Sequence, residues 1–224
     1  IIAEFNADIP ISRAFMMDQQ QEAVSRAVRQ ETQVWMASRD RNAFSFYGNG
    51  FGTTQSTTID GVALFSNSHV NANGDTVDNL ETGALADSTL NSSVVSLRGQ
   101  LNQTGVKVGY EPGLLLCSST SHHDAMIVAK SVLKSGGGQN DLNYYSELYP
   151  GMQVKFNQFL DDSSTTAYII GTENHGVVRY VREGLSSVLV DEKYDENRMY
   201  RYRFLAREEV DTIEYTGLVG STGA

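Results

Sequence analysis

Cysteine is almost missing from this sequence. Cys117 stands alone, so no disulfide can close within the chain, and a reducing compartment is the simplest place for it to fold. Next to the apolar run Leu114 to Leu116, it reads as a small buried side chain rather than a nucleophile. Long apolar runs are missing as well: the longest, such as Leu114 to Cys117 and Tyr168 to Ile170, fall far short of the roughly 20 residues that cross a bilayer. No membrane contact is expected. Ile1 has no initiator Met, basic leader or apolar leader before it, so the chain reads as a processed or truncated product. Basic residues are scarce, with 17 Lys and Arg against 27 Asp and Glu, a net charge of -10. A surface that grips nucleic-acid phosphates needs clustered cations, and this balance argues against one.

Catalytic patterns are equally hard to find. The histidines are His69, the adjacent His122 and His123, and His175, none at an i,i+4 ligand spacing with a carboxylate between. A metal site from His122, His123 and Asp124 is the one arrangement worth weighing, and a role at a helix N-terminus explains these residues more simply. The glycines at 48 to 52 and 136 to 138 lack the strand, helix and Lys-Ser or Lys-Thr pair of a phosphate loop. Ser118, Ser119 and Ser121 lack the Gly-x-Ser-x-Gly frame of a nucleophile elbow. The acidic pairs Asp161, Asp162 and Glu208, Glu209 are expected at exposed turn and edge positions. No enzyme activity, metal or cofactor is expected.

What the chain does hold is 224 residues, 40% hydrophobic, enough for one or two packed units. Residues 1 to 11 read as extended, and Ser12 is placed to cap a helix. From Arg13 to Tyr47 there is neither Gly nor Pro, and roughly 35 residues at 1.5 Å each make a rod of about 50 Å. Phe15, Val24, Val28, Val34 with Trp35, and Phe44 mark its apolar stripe, while Arg26, Arg29, Arg39 and Arg41 mark polar faces. Gly48 to Asp60 reads as a flexible connection, Gly61 to Ser66 as a strand, and Asn73-Gly74 as a turn. Leu90, Val94, Leu97 and Leu101 predict a helix from about Asp87 to Leu101. A buried strand at Leu114 to Leu116 and a helix from about Ser121 to Leu133 follow, with Ile127, Val128, Val132 and Leu133 inward. Tyr144, Tyr145 and Tyr149 fall in a polar loop.

Beyond Met152 strands dominate: Val154 to Phe159, Thr166 to Ile170, Val177 to Val181, Leu185 to Val190, Met199 to Ala206 and Thr212 to Val219. Tyr200, Tyr202 and Phe204 alternate with Arg201 and Arg203, which gives one packed and one polar face. The fold class is α+β.

The stretch from Ser12 through the long helix to Asn49, followed by Asp60-Gly-Val-Ala-Leu-Phe-Ser-Asn-Ser-His69, resembles the Mu-like major head subunit family of tailed phages. Asn79-Leu80, Gly109-Tyr110-Glu111-Pro112, Val181-Arg182-Glu183-Gly184, Tyr200-Arg201-Tyr202-Arg203 and Gly217-Leu218-Val219-Gly220-Ser221 follow in the family's order. Val70 stands where such proteins often place Pro, and Cys117-Ser118-Ser119 where Val-Pro-Pro is usual.

The resemblance implies the capsid fold named after the Hong Kong ninety-seven phage. On it, residues 1 to 84 would be the P-domain with the end of the E-loop, the spine helix and a β-hairpin. Residues 85 to 176 would be the A-domain, and residues 177 to 224 the returning P-domain strands. The implied function is a structural protein that self-assembles through pentamers and hexamers into an icosahedral head shell. That shell would enclose DNA without sequence-specific binding, and an acidic wall suits this, because it does not stick to what it encloses. Scaffold, portal and decoration proteins are the implied partners, the virion the location and the host cytoplasm the place of assembly. Subunit contacts are expected at Arg26, Arg29, Arg39 and Arg41, at Tyr144 and Tyr145, and in the turn with Asp191, Glu192, Lys193, Asp195, Glu196 and Arg198. Rival readings are an encapsulin-like shell, a metal-dependent enzyme using His122, His123 and Asp124, and a tail or adhesin component.

Overall fold

The computed structural model describes residues 3–12, 21–53, 58–134, 141–160, 166–190 and 199–224. In chain order the elements begin with β1 (Ala3–Ser12), α1 (Gln21–Gly48), β2 (His69–Val70), β3 (Thr76–Val77) and β4 (Leu80–Glu81). Then come α2 (Asp87–Gly99), β5 (Leu114–Cys117), α3 (His122–Lys130), α4 (Tyr144–Leu148), β6 (Gln153–Phe156) and β7 (Tyr168–Gly171). The chain closes with β8 (Val177–Val190), β9 (Met199–Thr212) and β10 (Leu218–Ser221). The chain forms two compact units, residues 1–43 with 179–210 and residues 44–178 with 211–224. The α+β class holds.

The first unit is a three-stranded sheet in the order β1-β9-β8 with the long helix packed on it. The extended start of the chain becomes a full strand because it pairs antiparallel with β9 over its whole length, Ala7 opposite Phe204 and Ile9 opposite Tyr202. Free of Gly and Pro until Gly48, α1 runs for 28 residues, about 42 Å at the helical rise. The expected start of the rod at Arg13 and the stripe residue Phe15 lie outside the described residues. Trp35 is buried against Phe204 and Ala206, with Val28, Ala7, Ile9 and Tyr202 around them. Val24 and Trp35 are buried and Val28 half-buried, but Val34, expected on the same stripe, is 56% exposed. At 100° per residue Trp35 and Val34 cannot share one face, and the larger ring takes the core.

The second unit holds a five-stranded sheet, β4-β10-β7-β5-β6, with α2 and α3 packed on it. Leu90, Val94 and Leu97 of α2 meet Leu115, Ile170, Tyr168 and Val219 in one core. Cys117 is buried there, as expected. Helix α2 matches its predicted span to within two residues.

Several expectations need correction. Gly61 to Ser66 is not a strand: Gly61 takes a φ of +77°, Phe65 N–H donates to Gly50 O at 2.8 Å, and Ser66 N–H donates to the Asn79 side chain at 2.8 Å. Within the segment only Ala63 forms a β-bridge, too little for a strand. Helix α3 stops at Lys130, because the Asn143 amide donates to Val128 O at 2.8 Å and Ser131 is extended. Val132 and Leu133 therefore point outward, at 71% and 48% exposure. Tyr144 to Leu148 form a short helix, started by the Asn143 side chain accepting Tyr145 N–H, rather than a loop. The two strands expected at 177–181 and 185–190 are one, β8, since Gly184 does not interrupt it. The last strand is only Leu218–Ser221, following Gly217 at φ +80°.

The Leu64-Phe65-Ser66 stretch has a packing reason. A Cβ on Gly50 would sit 2.9 Å from the Phe65 ring, and one on Gly220 would sit 2.5 Å from it. Phe65 is therefore seated between two glycines that leave it room, and Phe51 meets it at 4.9 Å between ring centroids.

Candidate assembly surface

In the first unit, a charged clamp fixes the helix to the sheet. Arg39 Nε of α1 donates to Glu208 Oε1 of β9 at 2.7 Å, and its Nη2 to Oε2. Arg179 of β8 donates to the same Oε2 from Nε at 3.2 Å and from Nη2 at 2.5 Å. The Arg39 guanidinium lies 4.9 Å from the centre of the Trp35 ring. Glu208 is buried, and its pKa is lowered: the hydrogen bond from Arg39 is the largest cause, and with Arg179 it outweighs the upward push of burial. This corrects the exposed position expected of Glu208, and it places Arg39 within the chain's own packing. On β1, Asp8 pairs with Arg203 at 2.9 Å, which holds its carboxyl below the ordinary value.

Arg26 is exposed and pairs only weakly in kind, with Glu22 one turn back at 2.9 Å. Arg29 and Arg41 are exposed on the same helix. The expected contact residues Asp191, Glu192, Lys193, Asp195, Glu196 and Arg198 lie outside the described residues, as do Asp161 and Asp162.

Sequence reasoning missed the bare face of β8. Helix α1 covers β1 and β9, so β8 is an edge strand that is exposed at most of its 14 positions. Val181, Leu185 and Leu189 share one face of it by alternation, at 54%, 38% and 46% exposure. Tyr180 and Val188 are exposed on the other face. The signal was present as an apolar run, but apolar residues in a strand read first as core.

In the second unit, Tyr145 is a core residue, with its hydroxyl donating to Asp87 O at 2.9 Å. Burial pushes its phenol pKa up. Tyr144 is exposed and meets Tyr149 edge-on at 6.1 Å, while Arg98 reaches over Tyr149 and bonds both oxygens of Glu111 at 3.1 and 3.0 Å. Val132, Leu133, Leu142 and Leu148 are exposed in the same part of the sequence, and Leu133 bridges to Leu142.

The unit's other polar features are structural. His69 is fully buried, with Nδ1 at 2.8 Å from Asp60 Oδ2, Nε2 at 3.2 Å from Leu64 O, and its ring stacked 4.1 Å from Tyr215. Burial alone would raise the Asp60 carboxyl, but hydrogen bonds from Thr58, His69 and Val62 outweigh it and lower it. His122 packs against the Phe156 ring at 4.6 Å rather than joining His123 and Asp124, and no group of three metal-ligating side chains occurs among the described residues. A groove of about 310 Å³ is lined by Thr76, Asp78, Gln100 and Lys107, but both ends of the Gln100 amide are taken by Gly217 and Leu218. No described helix is long and apolar enough to cross a membrane.

A family model described as "Phage capsid protein" matches residues 2–220. No curated protein sequence matches the chain. Among solved structures, one from Mycobacterium phage Adephagia is 17% identical, with a TM-score of 0.58 over 99% of this chain and 72% of that one. The capsid of Myoviridae phage XM1 is 15% identical, with a TM-score of 0.51 over 100% and 74%. The holo-SrpI encapsulin complex of Synechococcus elongatus PCC 7942 is 8% identical, with a TM-score of 0.58 over 100% and 74%. At these identities the structures speak for the fold alone.

Proposed function

The chain belongs to the phage capsid protein family, and from that premise we propose how it builds a shell. It is a structural protein of the tailed-phage capsid, with the Hong Kong ninety-seven fold, and its activity is association with copies of itself. In our reading the copies form pentamers and hexamers that close around DNA in the host cytoplasm, with scaffold, portal and decoration proteins as further partners and no catalysis. Residues 85–176 serve as the A-domain, and residues 1–84 with 177–224 as the P-domain.

The surface we assign to contact between subunits is the open edge and bare face of β8. What supports it is the stripe Val181, Leu185 and Leu189, apolar and exposed on a strand with one edge that no described strand pairs. Such an edge invites association unless something covers it. In a family of shell proteins the cover is a second copy. Arg26, Arg29 and Arg41 would form the polar rim, and residues 191–198 would meet symmetry mates. Tyr144, with Val132, Leu133, Leu142 and Leu148, would make a second contact near the capsomer centre. Many modest contacts of this kind add through multivalency. Negative-stain microscopy of the purified full-length protein tests this: closed shells are expected, and dispersed subunits or fibres would overturn it.

The encapsulin fold match raises a second reading, a shell that holds enzymes. The family match over residues 2–220 favours the phage reading. Nucleic acid inside particles recovered from a producing cell supports the head shell, and protein cargo supports the alternative.

A further inference from the structure

His175 lies in the turn between β7 and β8, half-buried, with Nδ1 accepting the backbone N–H of Val177 at 3.3 Å. Val177 is the first residue of β8. A doubly protonated imidazole has no lone pair at Nδ1, so this bond exists only while the ring is neutral. Around it, backbone meets backbone. Ile213 N–H donates to Gly176 O at 2.8 Å and Thr172 N–H to Gly217 O at 3.0 Å, tying the turn to the segment before β10. A Cβ on Gly176 would lie 2.4 Å from Glu214 O, and one on Gly217 would lie 3.5 Å from His175 Cα.

Among the described residues, no charged side chain pairs with the ring. From α1 it meets the edge of Tyr47 at 6.4 Å, and burial pushes that phenol up to about 12, so it stays neutral in acid. The C-terminal segment presents the backbone of Gly217, with Glu214 its nearest carboxylate along the chain, and Glu173 is the carboxylate of the turn itself. Burial lowers the His175 pKa from the ordinary 6.5, with no charged neighbour contributing.

We infer that His175 is an acid-sensitive pin: the neutral ring fixes the root of β8 to the preceding turn, and protonation releases the Val177 amide. The bond is fully present above the ordinary histidine range and is lost as the pH falls through the lowered folded value. This concerns the folded subunit and stands whether or not the shell reading does.

Amide hydrogen exchange of the full-length protein, corrected for intrinsic rates, reads it at Val177. Between about pH 7.5 and an acid end point at which the ring nitrogen shifts report a protonated His175, protection at Val177 is expected to fall by about fivefold, the worth of one modest hydrogen bond. His175→Asn places an amide oxygen near the Nδ1 position and does not titrate, so its Val177 protection should stay flat. A wild-type change under about twofold, or the same fall in His175→Asn, would overturn the inference. Should that variant not fold, the ring nitrogen shifts of the wild type decide: an unprotonated Nδ1 at neutral pH supports the pin, and a protonated one refutes it.

Discussion

Arg39 and Glu208 form a two-point ion pair that joins the long helix to the central strand of its sheet, and Arg179 of the edge strand completes the clamp. The carboxylate is buried and the Arg39 side chain only 13% exposed, so removing Glu208 strands the Arg39 guanidinium, while Arg179, 43% exposed, can turn to water. Glu208→Ala should cost about 3 kcal/mol in chemical denaturation. Arg26→Ala, which breaks only the exposed helical pair with Glu22, should cost about 0.3 kcal/mol. Equal effects from the two would mean that the clamp contributes no more than a surface pair.

The same clamp sets an acid limb. Glu208 titrates below its ordinary 4.5 in the folded subunit, so its contribution is present above that value and is lost as the pH falls through the lowered one. Asp8 adds in the same direction, discounted because it is largely solvated. Denaturation midpoints measured from about pH 6 down to pH 3 should fall more steeply in the wild type than in Glu208→Gln. Parallel curves would assign the acid limb to other carboxylates.

Phe65 provides a packing test. Gly220→Ala puts a methyl group 2.5 Å from the ring and should cost about 2 kcal/mol, with part of that recovered by adding Phe65→Leu. Gly151→Ala meets nothing within 4 Å and should change stability by less than about 0.5 kcal/mol. Thermal unfolding of the three variants checks the order.

Much of this architecture was legible in the residues. The Gly- and Pro-free run gave α1, the heptad-like Leu90, Val94 and Leu97 gave α2, and the alternation around Phe204 gave β9 its packed face. What was not legible depends on partners distant in the chain. Asn143 ends α3 from fifteen residues away, at Val128. Glu208 looked like half of a surface acidic pair, because nothing in its neighbourhood announces Arg39, 169 positions earlier. At the candidate surface the arginines of α1 were legible as a polar face, but local pattern cannot separate Arg39, which is consumed within the chain, from Arg26, which is not. The apolar residues of β8 were legible as strand, and only the sheet order reveals that no described strand pairs its outer edge.

Charge should govern assembly beyond the apolar stripe. Reversing Lys193 and Arg198 together should leave a soluble, folded subunit that does not close shells, and raising the salt should slow assembly of the wild type. Sedimentation separates subunits from particles; normal yield from the double reversal would remove these two residues from the contact surface.

The bare face of β8 can be tested without loss of fold. Leu185→Asp adds charge to a side chain that is already partly in water, so the subunit should unfold within about 1 kcal/mol of wild type while shell yield drops sharply. Unchanged yield would mean that the stripe is not an interface.

The most direct measurement is hydrogen exchange along Val177–Val190, compared between free subunits and closed shells of the same full-length protein. If a second copy covers the strand, amides on its open edge will exchange markedly more slowly in the shell than in the subunit. Shells that close normally while β8 exchanges at the subunit's rate would contradict the account.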